Sequence, residues 1–149
     1  MARTHELLFK LEHEDDWPPA AVEGIYGEQR DGSFLALTCP LFVKGLSVGD
    51  LIAPQFDDTG EVIGFEVLEP SQHSTVWMIA SDQTLREKLL AALRELGCNT
   101  VSAPASMRSL CAVDVPGEVG IADVDLVLGS FERAGQISLA YPSFRHGDD

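Results

Sequence analysis

Positive charge is in short supply in this sequence. Lys and Arg contribute 10 of its 149 residues against 24 Asp and Glu, a formal net charge of −14 at pH 7. Nucleic-acid binders neutralise phosphates with clustered Lys and Arg, so nucleic acid and anionic membrane surfaces are excluded as partners, and a basic protein is the natural complement. Cysteine is scarce and odd in number. Cys39, Cys98 and Cys111 show no Cys-x-x-Cys spacing, which argues against a disulfide framework or a zinc knuckle and predicts buried, reduced thiols. Apolar runs are short, and acidic residues interrupt the stretch from Met1 to Glu12 before a signal-peptide core could form. A cytoplasmic protein without a membrane span is expected.

Catalytic and cofactor signatures are missing as well. His5, His13, His73 and His146 are dispersed, with no i, i+4 pair to hold a metal. Gly45-Leu-Ser-Val-Gly49 lacks the Lys-Ser/Thr ending of a phosphate-cradling loop, and Gly-x-Ser-x-Gly is absent. Cys39 or Cys111 with His73 could be matched as nucleophile and base in almost any chain, and adjacent loop acids such as Asp15-Asp16 or Asp57-Asp58 normally point apart into water. The expectation is a protein that is not an enzyme and holds neither metal nor cofactor.

What is present is core material: 45% hydrophobic residues and a mean hydropathy of +0.05. The first half reads as β. His5–Glu12 holds Leu7, Leu8, Phe9 and Leu11, and segments 21–29 and 33–38 flank Asp31-Gly32, a hairpin turn signal. Leu51-Ile52-Ala53 and the run from Glu61 to Leu68 lie on either side of Asp57-Asp58-Thr59-Gly60. In the latter run Ile63, Phe65 and Val67 alternate with Val62, Gly64, Glu66 and Leu68, which places the larger apolar groups on one face. Short strands with frequent turns predict a β-barrel-like domain or bent sheet over residues 1–70.

The rhythm changes after Glu69-Pro70-Ser71-Gln72-His73, a polar linker. Segment 75–80 reads as a strand, and Ser81 or Asp82 can cap a helix with Leu85, Leu89, Leu93 and Leu96 in one stripe and Gly97 at its end. Strands follow over 98–103 and 109–115, then a helix bearing Val124, Val127, Leu128 and Phe131, then a strand over 136–141. This β-α-β-β-α-β order predicts a ferredoxin-like α+β sandwich over residues 74–145. Ile137, Leu139, Tyr141, Cys111, Val113 and Val115 would face the helices. Gln136, Ser138, Ala140, Leu110, Ala112 and Asp114 would form an opposite face only weakly driven to bury, and the end from Arg145 would fray.

The charge is unevenly spread. Residues 1–70 hold 4 bases and 14 acids, net −10, and residues 71–149 hold 6 bases and 10 acids, net −4. Two clusters stand out: Glu12, Glu14, Asp15 and Asp16 before Trp17-Pro18-Pro19, and the hairpin acids Asp57, Asp58 and Glu61. Such acids aid solubility, and they can also steer a cationic surface, with Trp17 as a rigid anchor. The segment from Ser71 to Trp77 gathers His73, Ser74, Thr75 and Trp77 at the join of the two halves, as linker hydroxyls or as a ligand crevice.

Phe9-Lys-Leu-Glu12 with Trp17-Pro18-Pro19, the stretch from Pro40 to Asp50, His73-Ser74-Thr75-Val76 and Ala112-Val-Asp-Val-Pro116 resemble an uncharacterised family of small bacterial proteins, a domain of unknown function. The resemblance runs over nearly the whole chain and implies no active site. In composition the chain is also similar to bacterial toxin-immunity proteins. The function expected first is therefore an immunity protein (antitoxin) that neutralises a basic bacterial toxin. Glu14, Asp15, Asp16, Trp17, Asp57, Asp58 and Glu61 would make the contacts. A small-molecule-sensing regulatory domain with a site near His73 is the alternative.

Overall fold

Turn chemistry sets the first sheet. In the computed structural model, which describes residues 4–12, 18, 20–104, 107 and 109–146, Asp31 and Gly32 have φ of 40° and 86°. Both lie in the left-handed region that a two-residue hairpin turn needs. They join β2 (Val22–Arg30) to β3 (Ser33–Ala36), with Arg30 opposite Ser33. β1 (Thr4–Lys10) lies antiparallel to β2, and β4 (Leu51–Phe56) to both β3 and β5 (Val62–Glu69). β1 then meets β5 in parallel at Phe9 and Val62, closing a ring of five strands. Phe9, Ile25, Phe34, Ile52 and Val62 fill its interior. These strands belong to the first of two compact units, Met1–Ser71; the second is Gln72–Asp149.

The expected face of β5 is corrected by one residue. Gln55 pairs with Gly64 and Phe56 with Val62, so Ile63 is the extra residue of a β-bulge. A bulge reverses the in-out alternation on either side of it. Val62 turns inward and Ile63 is left 54% exposed, while Phe65, beyond the bulge, sets its ring edge-on to Phe9 at 5.8 Å between centroids.

The loop between β3 and β4 is tied at both ends by carboxylates. Glu23 accepts three successive backbone N–H groups, from Leu41 (2.6 Å), Phe42 (2.9 Å) and Val43 (3.0 Å). Burial pushes its pKa up, and the three donated bonds pull against that rise. Asp50, wholly buried, accepts from Ser47 N at 2.9 Å and Ser71 N at 2.8 Å.

In the second unit Asp82, rather than Ser81, caps α1 (Gln83–Leu96): its side chain accepts from Leu85 N at 3.0 Å, and Gly97 closes the helix at φ 106°. β6 (Ser74–Ile79), β7 (Asn99–Ser102), β8 (Leu110–Val115) and β9 (Ser138–Ser143) form an antiparallel sheet in the order β7-β8-β6-β9. α1 and α2 (Ile121–Arg133) both pack on one face of it. Leu89, Leu90, Leu93, Val124 and Leu128 meet Val76, Met78, Cys111, Val113 and Val115 in one core. Each leucine buried there contributes about 1.5–3 kcal/mol.

Three expectations for this unit are corrected. Tyr141 does not join the helix-facing core. Ala140 pairs with Trp77 and Ser143 with Thr75, so β9 carries one residue too many next to Pro142, which has no N–H to donate, and Tyr141 swings out against the Phe144 ring at 5.9 Å. Nor is the opposite face uniformly exposed. Ser138 and Ala140, on edge strand β9, are, but Leu110, Ala112 and Asp114 are buried because β8 is a central strand buried along its whole length. Arg145 and His146 are not frayed, since their backbone N–H groups donate to Ser74 Oγ at 2.6 and 3.2 Å.

The ring tolerates no side chain at Gly27. A Cβ there would meet Phe34 Cζ at 2.7 Å and press on the Leu35 carbonyl oxygen. Gly27→Ala is expected to destabilise the first unit by about 1–3 kcal/mol, read as a lower urea midpoint at unchanged slope.

Candidate functional site

The β4–β5 hairpin carries the described part of the expected acidic surface, and its acids are not equivalent. Asp57 is committed to the turn. Its Oδ1 accepts from Thr59 Oγ1 (2.6 Å), Thr59 N (2.9 Å) and Glu61 N (3.0 Å). Oδ2 lies 3.6 Å from Lys10 Nζ, an exposed pair of small energetic value. The Thr59 hydroxyl bond, ahead of the two amides and the Lys10 charge, holds the Asp57 carboxyl below its ordinary pKa. Asp57 therefore builds the hairpin, and Asp58, exposed, and Glu61, half-buried, are the acids it presents. Two apolar side chains stand beside them, Phe56 at 48% and Ile63 at 54% exposure. Neither was among the expected contact residues: Phe56 falls three positions beyond Ala53, where the strand legible before Pro54 ends, and Ile63 surfaces only through the bulge. Glu14, Asp15, Asp16 and Trp17 lie outside the described residues.

The His73 segment is organised around a buried acid. His73 Nδ1 lies 2.7 Å from Asp114 Oδ1, and Asn99 Nδ2 donates to Asp114 Oδ2 at 3.2 Å. Asp114 is 2% exposed and His73 29%, so the acid is sealed while the imidazole reaches solvent. A histidine oriented by a carboxylate is the geometry of a general base, and equally the means of satisfying a buried aspartate.

Ser74 faces the other histidine. Its Oγ is 2.6 Å from His146 Nδ1, while His146 Nε2 lies 3.0 Å from the carbonyls of both Pro116 and Val119. Two acceptors at Nε2 place the proton there in the neutral ring, leaving Nδ1 to accept the Ser74 hydroxyl. Ser74 is fully buried, and its oxygen also takes the N–H groups of Arg145 and His146. This pair ties the end of the chain to β6 and presents no nucleophile. Thr75 and Trp77 are buried as well, so of the expected crevice residues His73 alone is accessible.

The hairpin, His73–Trp77 and Asp114 all fall within one family pattern. The chain belongs to a family described as a domain of unknown function (DUF4265), which matches residues 23–139. Among solved structures it is similar to a hypothetical protein from Neisseria gonorrhoeae, at a TM-score of 0.73 and 21% identity, covering 97% of this chain and 96% of that one. At that identity the likeness is one of fold. No curated protein matches the chain. Residues 14–17 and His146 lie outside the matched segment, whereas Glu23, Asp50 and Asp114, the anchored carboxylates, lie inside it.

Among the described residues no three His, Cys, Asp or Glu side chains converge for a metal ion, and no helix is long and apolar enough to cross a membrane. All three cysteines are buried, and none forms a disulfide. Burial, helped by the Asp114 charge, pushes the Cys98 thiol up to about 11, and burial also raises Cys111.

Two outcomes follow from these groups. Because Asp57 is lowered in the folded hairpin, its ionised form supports the turn above the ordinary aspartate value of about 3.9, and that support is lost as pH falls through the lowered one. The amide resonances of Thr59 and Glu61 should therefore titrate with a midpoint below about 3.9, and Asp57→Asn should abolish that titration. The thiols should resist Ellman's reagent at pH 8 in the native protein and react fully only in denaturant.

Proposed function

We propose that the chain is a non-enzymatic binding protein whose first unit docks a basic protein partner through the β4–β5 hairpin. One observation carries the reading: two exposed apolar side chains, Phe56 and Ile63, stand beside the acids Asp58 and Glu61 in a half of net charge −10. Apolar anchors supply affinity when a partner seals them from water, and the surrounding acids set on-rate and exclude acidic competitors. Glu14, Asp15, Asp16 and Trp17 are further contact residues in the proposal, with Asp57 shaping the turn rather than touching the partner. The biological form we favour is a cytoplasmic immunity protein that covers a cationic toxin. The second unit, with strand order β7-β8-β6-β9 and both helices on one face, reads as a ferredoxin-like sandwich and serves as scaffold.

The test is calorimetric titration against basic proteins encoded beside its gene, at low and at high salt. Binding should weaken with salt, and Asp58→Lys with Glu61→Lys should cost tenfold or more. Ile63→Asp should cost about 1–2 kcal/mol, as loss of an anchor does. Glu132→Lys, on α2, is the control and should bind as the native chain does. Binding indifferent to salt and to all of these hairpin changes would overturn the proposal.

A further inference from the structure

Helix α1 carries a positive charge where its own periodicity calls for a hydrocarbon. Leu89, Leu90 and Leu93 turn into the core, and Arg86, one turn earlier on the same stripe, is buried with them at 7% exposure. A guanidinium does not shed its proton, so withdrawing it from water calls for a carboxylate or a full set of acceptors. Among the described residues Arg86 forms no salt bridge, and its side chain makes one hydrogen bond, from Nη1 to the Ala80 carbonyl at 2.7 Å. None of its nitrogens is both sealed from solvent and without a partner, so the donors not spent on Ala80 reach open space.

That space is a cleft of about 420 Å³ lined by Gln83, Arg86, Glu87, Leu90, Arg94 and Ser102, all within the second unit. Arg94 stands two turns along α1, its Cα about 12 Å from that of Arg86 by helix geometry. Its Nε donates to Thr100 Oγ1 at 2.8 Å, which steadies the fork and leaves its terminal amino groups for another acceptor. The acid in the lining, Glu87, accepts from Gln83 Nε2 at 3.1 Å. Among its described lining residues two guanidiniums stand against one carboxylate, which makes the cleft locally positive in a chain of net charge −14.

We infer that this cleft binds a small organic anion whose carboxylate or phosphoryl oxygens meet Arg86 and Arg94, with the edge of Leu90 in the lining. The planar fork of arginine accepts either oxyanion in a bidentate pair, and a partly buried site strengthens such a pair relative to bulk water. This binding is independent of protein docking at the β4–β5 hairpin.

NMR titration of the full chain with succinate, and separately with inorganic pyrophosphate, at constant ionic strength tests it. Saturable shifts of the Arg86 and Arg94 Nε–H resonances are expected with at least one probe, and which probe saturates tells carboxylate from phosphoryl recognition. Arg94→Gln, at an exposed position that does not enter the core, should weaken that binding by about tenfold or more. Arg86→Lys, which keeps the charge and loses the fork, should weaken it as well, with retention of the native spectrum showing that the fold persists. Absence of saturable shifts with both probes, or affinity unchanged in Arg94→Gln, would overturn the inference.

Discussion

A charge withdrawn from water must be met by partners, and in this protein that constraint shapes the backbone wherever strands and helices leave it free. Glu23 collects three consecutive amides and so holds the start of the long loop between β3 and β4; Asp50, wholly buried, holds its end and reaches Ser71 as well. Asp114 does the same in the second unit, drawing His73 and Asn99 onto the central strand β8. Each of these carboxylates would be costly if buried alone, and each is matched by two or more donors. The strongly negative composition is therefore in part internal architecture.

The acids that the β4–β5 hairpin presents take their setting from an irregularity in β5. A regular β5 would have hidden Ile63 and left the β4–β5 hairpin a polar turn; the bulge opposite Gln55 and Phe56 exposes it beside Asp58 and Glu61. In β9 the extra residue next to Pro142 turns Tyr141 away from the helices and onto Phe144. Each bulge moves a side chain across a sheet at the expense of a local break in pairing, a means by which strands present apolar groups to solvent without losing their core.

Arg86 is the counterpart of the buried carboxylates with the sign reversed and the matching incomplete. A single carbonyl answers one of its donors, and the rest open onto the α1 cleft. The chain thus combines an acidic hairpin suited to a cationic partner with a local positive cleft suited to an anion. Each is a local feature of its own unit, the hairpin of the first and the cleft of the second.

Much of the fold was legible in the order of residues. The Asp31-Gly32 turn, the leucine stripe and Gly97 cap of α1, and the alternation of two helices with four strands are local patterns, set by backbone preference and by the period of apolar side chains. One further signal was present and easily passed over: Arg86 falls at the 86, 89, 90, 93 spacing of the buried face of α1, a charge inside a leucine stripe. Family membership was likewise carried by sequence motifs. The contact surface was not legible, because bulge positions depend on the pairing of strands distant in sequence, and a shift of one residue decides whether Ile63 and Tyr141 face core or solvent. Nor could composition tell an acid that steers a partner from one that ties a loop. The sequence by itself determined element order, turns and charge; only tertiary structure decided which faces and which charges point outward, since burial and hydrogen-bond partners are supplied by residues far away along the chain.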